Sequence, residues 1–452
     1  MTTTTALKQQ LPPGPKTPTL IQLLQWISDP LKLMETSQAT YGDPFTVEFR
    51  KDRPFIFISN PDTIQEILSQ DQKHFYSGQG NDILLPIVGE HSILLSDGNT
   101  HSRQRKLMFP PFHGEKITYY GNVIANITEK VAATWTNEQH FFLRPSMQEI
   151  TLEVIMQTVF GISEGERHSQ LKTRLMKSLD LTGGSVLRSS LLFLPALHQD
   201  FPGSPWRNFL QRQQSINDLL QLELDERRNS GEEGGNDVLS LLMSARDEQE
   251  NPMSDEELRH QLMTLLVAGH ETTATALAWA FYWIYKLPEV REKLLAELDG
   301  ISDTSNIKEL NQLPYFDAVC KEVLRIYPVA ILTFPRITKD TLVIGNYEYP
   351  PDTIIAPCIY LLHHREEIYP NSKEFRPERF LEREFSSYEF MPFGGGSRRC
   401  IGDVFAQMEM KIVIATVLKN YQLTLAEKKP VKPVRRGVTV APAGGIKMST
   451  GE

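Results

Sequence analysis

Cysteine is scarce in this chain of 452 residues: Cys320, Cys358 and Cys400 are the only three. They are too few and too scattered for a disulfide framework, and they fit a reducing cytoplasm. No two form a CxxC pair, which argues against a zinc ribbon or a dithiol exchange motif. Positive charge is also short. The net charge of −9 argues against a nucleic-acid binder, which needs a basic face to neutralise phosphates. The N-terminal stretch MTTTTALKQQLPPGPKTP lacks an apolar run and reads as neither signal peptide nor anchor. Internal repeats are missing too.

What remains is an ordinary globular composition, 40% apolar and 23% charged. The most hydrophobic span, residues 262–285, is long enough to cross a bilayer. His270 and Glu271 near its middle would make that costly, so the span reads as a helix buried in protein. The prolines of residues 1–15 cannot begin a helix, and LIQLLQWISDPLKLMETSQATYG after them has helical spacing. PFTVEF and PFIFIS read as strands joined by RKDR. From about Pro61 to Leu287 the chain reads as helix, with irregular interruptions at SGQGNDILLPIVGEHS and LPALHQDFPGSPW and a solvated loop at 229–237. Beyond Pro328 come short strands, turns and one last helix. The expected fold is mainly α with a small β-rich subdomain, a single domain over 1–452 whose long central helix crosses it.

That helix starts at a capping box, Ser254 to Glu257, and runs to Leu287 before Pro288, about 50 Å at ~1.5 Å per residue. In AGHETTA, residues 268–274, Gly269 weakens the helix and Thr272 and Thr273 can bond back one turn. Two readings stand: a kink with satisfied hydroxyls, or an opening beside a carboxylate and two alcohols that can move protons into a dry site. Glu322 and Arg325, at i and i+3, share a helix face and taken alone are an ordinary surface pair. Arg379 in FRPERF is an arginine on a turn with no partner of its own.

Cys400 stands in FGGGSRRCIG, just before an amphipathic helix. The helix dipole, free backbone N–H groups and Arg398 and Arg399 all favour a thiolate there. Gly394, Gly395 and Gly396 remove side chains, so a flat bulky group can approach the backbone. With no Lys-Ser or Lys-Thr after the glycines, a phosphate loop is excluded. A single thiolate in open surroundings suits a metal that brings its other ligands, which describes haem.

The stretch resembles the haem-binding signature of the cytochrome P-450 family, Phe-x-x-Gly-x-Arg-x-Cys-x-Gly, at Phe393, Gly396, Arg398, Cys400 and Gly402. The other family markers follow in order along the chain. The resemblance implies the cytochrome P-450 fold around a buried haem b, with Cys400 as axial thiolate and Phe393, Arg398, Gly402 and Ala268 against the cofactor. His101, Arg105, Arg336 and Arg398 match propionate-binding positions, where guanidinium forks suit carboxylates. Glu322, Arg325 and Arg379 look like the family's buried charge network. Glu271 and Thr272 look like its acid–alcohol pair for oxygen activation.

The resemblance further implies a monooxygenase that uses O2 and two electrons from a separate donor, a ferredoxin or flavodoxin with its NAD(P)H reductase. Arg399, Lys411 and Lys106 are a candidate patch for that donor, or else scattered solvated charges. Apolar candidates for the substrate pocket are Leu265, Val329, Ile331, Leu332, Val438 and Thr439, to which a fatty acid, terpene or retinoid-like molecule is suited. General likeness is to cyanobacterial members acting on fatty acids or sesquiterpenes. The expected location is cytoplasmic and peripheral to a membrane, without a transmembrane anchor. Two rival functions stay open: a haem-thiolate peroxygenase or isomerase needing no electron donor, and a non-catalytic haem or lipid-binding sensor.

Overall fold

Turn chemistry sets the first boundaries in the computed structural model, which describes residues 11–451 except 51, 52, 115, 138, 139, 184–192, 195, 196, 231–234 and 428. The first helical stretch is broken by Asp29 and Pro30 into α1 (Thr19–Ser28) and α2 (Pro30–Tyr41). The Asp29 carboxylate accepts the Lys32 N–H at 3.1 Å, with proline at the first helical position. The proline-rich segment lies along the strand that follows: Thr46 donates its N–H to Pro13 O at 2.9 Å.

Strands β1 (Phe45–Arg50) and β2 (Arg53–Ile58) pair antiparallel, with Phe45 opposite Phe57. Next come α3 (Pro61–Ser69), β3 (Phe75–Tyr76), α4 (Gly98–Met108), α5 (Lys116–Ala132), α6 (Leu143–Thr158), α7 (Glu166–Gly183) and α8 (Pro205–Ser230). SGQGNDILLPIVGEHS is less irregular than expected, since it holds a 3-10 segment, Gln79–Leu84, and a helical turn, Leu85–Val88. The loop expected at 229–237 lies partly outside the described residues. After it stand α9 (Asp255–Lys286), α10 (Pro288–Leu298), α11 (Pro314–Ile326), β4 (Arg336–Thr338), β5 (Ile354–Pro357), α12 (Asp403–Asn420), β6 (Pro433–Arg436) and β7 (Thr439–Pro442). The largest sheet has the order β1-β2-β5-β4-β3, and β6 and β7 form a separate hairpin.

Ser254 caps α9 by accepting the Glu257 N–H at 3.1 Å, and three acidic residues occupy the first turn. This helix packs against α6, α11 and α12, and Trp279, Phe281 and Ile284 on it are fully buried. The apolar span of 262–285 is therefore a core helix. No helix among the described residues is long and apolar enough to cross a membrane.

Gly269 does not open the helix. Instead, a Cβ there would lie 3.0 Å from Ile155 Cδ1, so the glycine lets α6 approach closely. Of the two readings of AGHETTA, the helix is continuous and Thr272 Oγ1 donates to Ala268 O.

Candidate functional site

The loop before α12 is fixed by backbone geometry first. Gly394 and Gly396 have φ of +69° and +65°, where a side chain would be strained. A Cβ on Gly395 would meet Leu68 Cδ1 at 2.9 Å. The Cys400 N–H then bonds back to Phe393 O at 3.0 Å, closing the loop.

Two polar systems fasten this loop to the protein. In the first, Arg325 on α11 makes a bidentate pair with Glu322, Nε to Oε2 at 2.6 Å and Nη2 to Oε1 at 2.9 Å. Arg379 Nε reaches Glu322 Oε1 at 3.2 Å, and all three side chains are buried. Arg325 Nη1 also donates to His363 O at 2.8 Å, and His363 Nε2 accepts the Met391 N–H at 3.0 Å. Burial pushes His363 down to about 3, which keeps that nitrogen an acceptor at neutral pH. The second system centres on Asp71. Its carboxylate takes Nε and Nη2 of Arg336, each at 3.0 Å, with Ser77 Oγ at 3.0 Å and Ser397 Oγ at 2.7 Å. Burial pushes the Asp71 carboxyl up, but Arg336 and the two hydroxyls outweigh it and hold it below its ordinary value.

Arg398 donates to Ile93 O at 3.0 Å and to Asp97 Oδ1 at 2.9 Å, while Arg105 Nη1 donates to Arg399 O at 2.7 Å. His101 is buried beside them. Burial, with the nearby cations Arg398 and Arg105, pushes it down to about 4, so it is neutral at pH 7. The four predicted propionate-binding residues thus gather in one region, where Arg336 meets Asp71, Arg398 meets Asp97 and Arg105 lies near Cys400 and Asp403. Asp71, Asp97 and His363 were not singled out from the sequence; each is distant along the chain and carries no motif.

Without a bound metal, burial outweighs the Gly402 N–H and the cations Arg105 and Arg399 and pushes the Cys400 thiol up to about 11. The thiolate expected of Cys400 is that of a sulfur bound to a metal cation, which favours the deprotonated form. Cys320 and Cys358 are wholly buried, and Cys320 is pushed up to about 12. The basic patch needs correcting. Lys411 is buried, bound to Asn311 and Asp317 at 2.8 Å each, and only Arg399 and Lys106 remain exposed, each beside an acid.

On α9, Ala268 is exposed although Leu262, Leu266 and Ala274 are 0–1% exposed. Cys400 likewise keeps exposed surface although protein surrounds it. Uncovered surface amid core residues, a thiol that its protein neighbours alone leave protonated and a surplus of guanidinium over carboxylate together fit an anionic, apolar-faced metal macrocycle such as haem.

One residue on from Ala268 and Gly269, His270 is buried, with Nδ1 2.9 Å from Thr151 Oγ1; burial and Arg144 push it down to about 3. Glu271 turns toward α6, where Arg144 Nη2 and Gln148 Nε2 (at 2.9 Å) both donate to it. Arg144 was not foreseen, because nothing in LRPSMQ signals a partner on another helix. Among the pocket candidates, Leu265 and Leu332 are half-buried and Val329 and Ile331 buried. Val438 is exposed at the tip of the β6–β7 hairpin, and the Thr439 hydroxyl bonds to Arg436 O at 2.9 Å.

The cytochrome P450 family profile matches residues 12–449. Putative cytochrome P450 135B1 of Mycobacterium tuberculosis is 32% identical over 439 residues, spanning 97% of this chain and 91% of that one. Putative cytochrome P450 135A1 of the same species is 30% identical, spanning 96% and 94%. Among solved structures, "Retinoic acid bound cyanobacterial CYP120A1" superposes with a TM-score of 0.84 at 21% identity, over 98% and 99% of the two chains.

Proposed function

The chain belongs to the cytochrome P450 family, haem-thiolate monooxygenases that use O2 and a redox partner, and from that premise we propose that it oxygenates an apolar substrate such as a long-chain fatty acid or terpenoid. Two electrons come from a ferredoxin or flavodoxin with its NAD(P)H reductase. Haem b, when bound, supplies dioxygen activation, and a thiolate ligand favours O–O cleavage. Cys400 gives that thiolate. Arg105, Arg336, Arg398 and neutral His101 hold the cofactor's carboxylates, while Phe393, Gly402 and Ala268 leave room for its faces.

The observation that carries the reading is an acid and an alcohol at consecutive positions, Glu271 and Thr272, near the middle of a core helix. Thr272 Oγ1 rests with its proton on Ala268 O, and turning the hydroxyl would present that proton to the uncovered side of α9. Glu271 is held by Arg144 and Gln148, so it must part from them to exchange a proton with Thr272 or a water. A sensor has no use for this pair. For the apolar substrate, the support is the half-buried and buried side chains Leu265, Val329, Ile331 and Leu332, and the retinoic acid-bound protein of the same fold. Leu20, Ile21 and Leu24 on α1 are 62%, 45% and 51% exposed, an apolar face that supports a cytoplasmic enzyme touching a membrane surface.

Thr272→Ala tests the reading. Electron consumption is expected to continue while product per NAD(P)H falls severalfold or more and hydrogen peroxide accumulates, because a positioned proton donor is lost. Unchanged coupling would remove Thr272 from the proton path. Turnover with a lipid hydroperoxide and no electron donor, at the full rate, would place a peroxygenase ahead.

A further inference from the structure

Arg435 on β6 is 5% exposed, and no carboxylate meets it among the described residues. Its guanidinium is held by its faces, with the carbon 4.6 Å from the Trp26 ring centre and 4.9 Å from that of Phe193. Nη1 donates to Gly437 O at 3.1 Å. Nε and Nη2 are buried and have no acceptor. Those two N–H groups form one edge of the fork, the same edge with which Arg325 grips Glu322 and Arg336 grips Asp71. Here that edge is bare.

A buried cation without a counter-charge is unfavourable, and burial pushes Arg435 down to about 10. Stacking between two aromatic rings does not neutralise it. Its surroundings are those of the expected pocket. Arg435 stands opposite Val440 in the β6–β7 register, and the Val440 N–H bonds to Val329 O at 3.2 Å. Trp26, Ile331, Leu332 and Val440 pack in one apolar cluster. The Asp71 and Asp97 systems around Cys400 do not include Arg435.

We propose that Arg435 anchors the carboxylate of an apolar carboxylic acid substrate, whose chain lies along the Trp26, Ile331, Leu332 and Val440 side of the pocket. The assignment rests on the apolar-substrate reading above and narrows it. One cation on a bidentate edge matches one carboxylate in charge and shape. A phosphate dianion would leave a net charge buried, and an alcohol or ester would satisfy the donors without neutralising the arginine.

The test measures binding to the haem-loaded protein by calorimetry for two pairs of differently shaped ligands: dodecanoic acid with its methyl ester, and retinoic acid with its methyl ester. The wild-type protein is expected to prefer one or both acids about tenfold or more, as a charge-assisted bidentate contact gives. Arg435→Met should erase that preference and leave ester affinity within about twofold. Equal affinity for acid and ester in the wild type overturns the anchor but leaves the apolar-substrate reading standing, and so does a variant that weakens both alike. Binding of neither member of either pair removes both readings. Without ligand, Arg435→Met should raise Tm by about 1–3 °C by relieving an unpaired buried charge. A fall in Tm of that size would mean that the guanidinium is satisfied within the protein, and the proposal fails.

Discussion

Cys400→Ser is expected to give a folded chain in which the reduced, carbon monoxide-treated protein has lost its far-red Soret band and oxygenation has dropped by about 10³-fold or more, ~4 kcal/mol of barrier. The fold should survive because Cys400 contributes little to it. The loop is closed by the Cys400 backbone N–H on Phe393 O, and its conformation is set by Gly394 and Gly396. Serine keeps both. What it lacks is a sulfur that a bound metal can hold deprotonated, since a hydroxyl gives up its proton far less readily. Cys320→Ala and Cys358→Ala serve as controls and should keep the band, being wholly buried in apolar surroundings. Retention of the band in Cys400→Ser, or its loss in either control, would transfer the ligand role to another residue.

Glu322→Ala should damage the protein in the opposite way, through the fold. It removes the single carboxylate between Arg325 and Arg379, which are 0% and 3% exposed. Leaving such charges unpaired costs about 3–5 kcal/mol, a large share of the ~5–15 kcal/mol that holds a typical domain together. With an unfolding entropy of ~2 cal/mol/K per residue, 1 kcal/mol shifts Tm by about 1 °C in a chain of this length, so Tm should fall by about 3–5 °C. The larger effect should be on cofactor retention. Glu322 orients Arg325, Arg325 holds His363 O, and His363 holds the Met391 N–H two residues before Phe393. The loop should therefore loosen and haem content drop severalfold. Glu322→Gln, which keeps two polar atoms but no charge, should lie between. A variant with wild-type Tm and full haem content would show that the network is not needed.

The contrast between these residues explains what could be read from the sequence. Cys400 was legible because its requirements are local: glycines for a close approach, a following helix, no second cysteine nearby. The long helix was legible for the same reason, with its cap at Ser254 just before α9 and its proline stop at Pro288 two residues after it. Glu322 and Arg325 looked like a surface pair until the family resemblance supplied Arg379, because burial is decided by what packs on α11 and not by the spacing on it. Asp71, Asp97 and Arg144 could not be found at all. Each acts across more than a hundred residues of chain, and an isolated Asp or Arg in a polar stretch is most often solvated. Local logic also misjudged one outcome. Lys411 was expected on the surface, yet α11 covers it and supplies Asp317.

Asp71 carries one more consequence. Its carboxylate ties Ser397 in the glycine loop, Ser77 beside β3 and Arg336 on β4 into one knot, all with protein atoms alone. The loop around Cys400 is therefore expected to be ordered by the polypeptide before any cofactor arrives. Uptake then resembles a key entering a cut lock more than a chain wrapping around its ligand, and little of the binding energy is diverted to freezing backbone. Protein emptied of its cofactor should keep the loop's amide protons slow to exchange, and should refill without refolding.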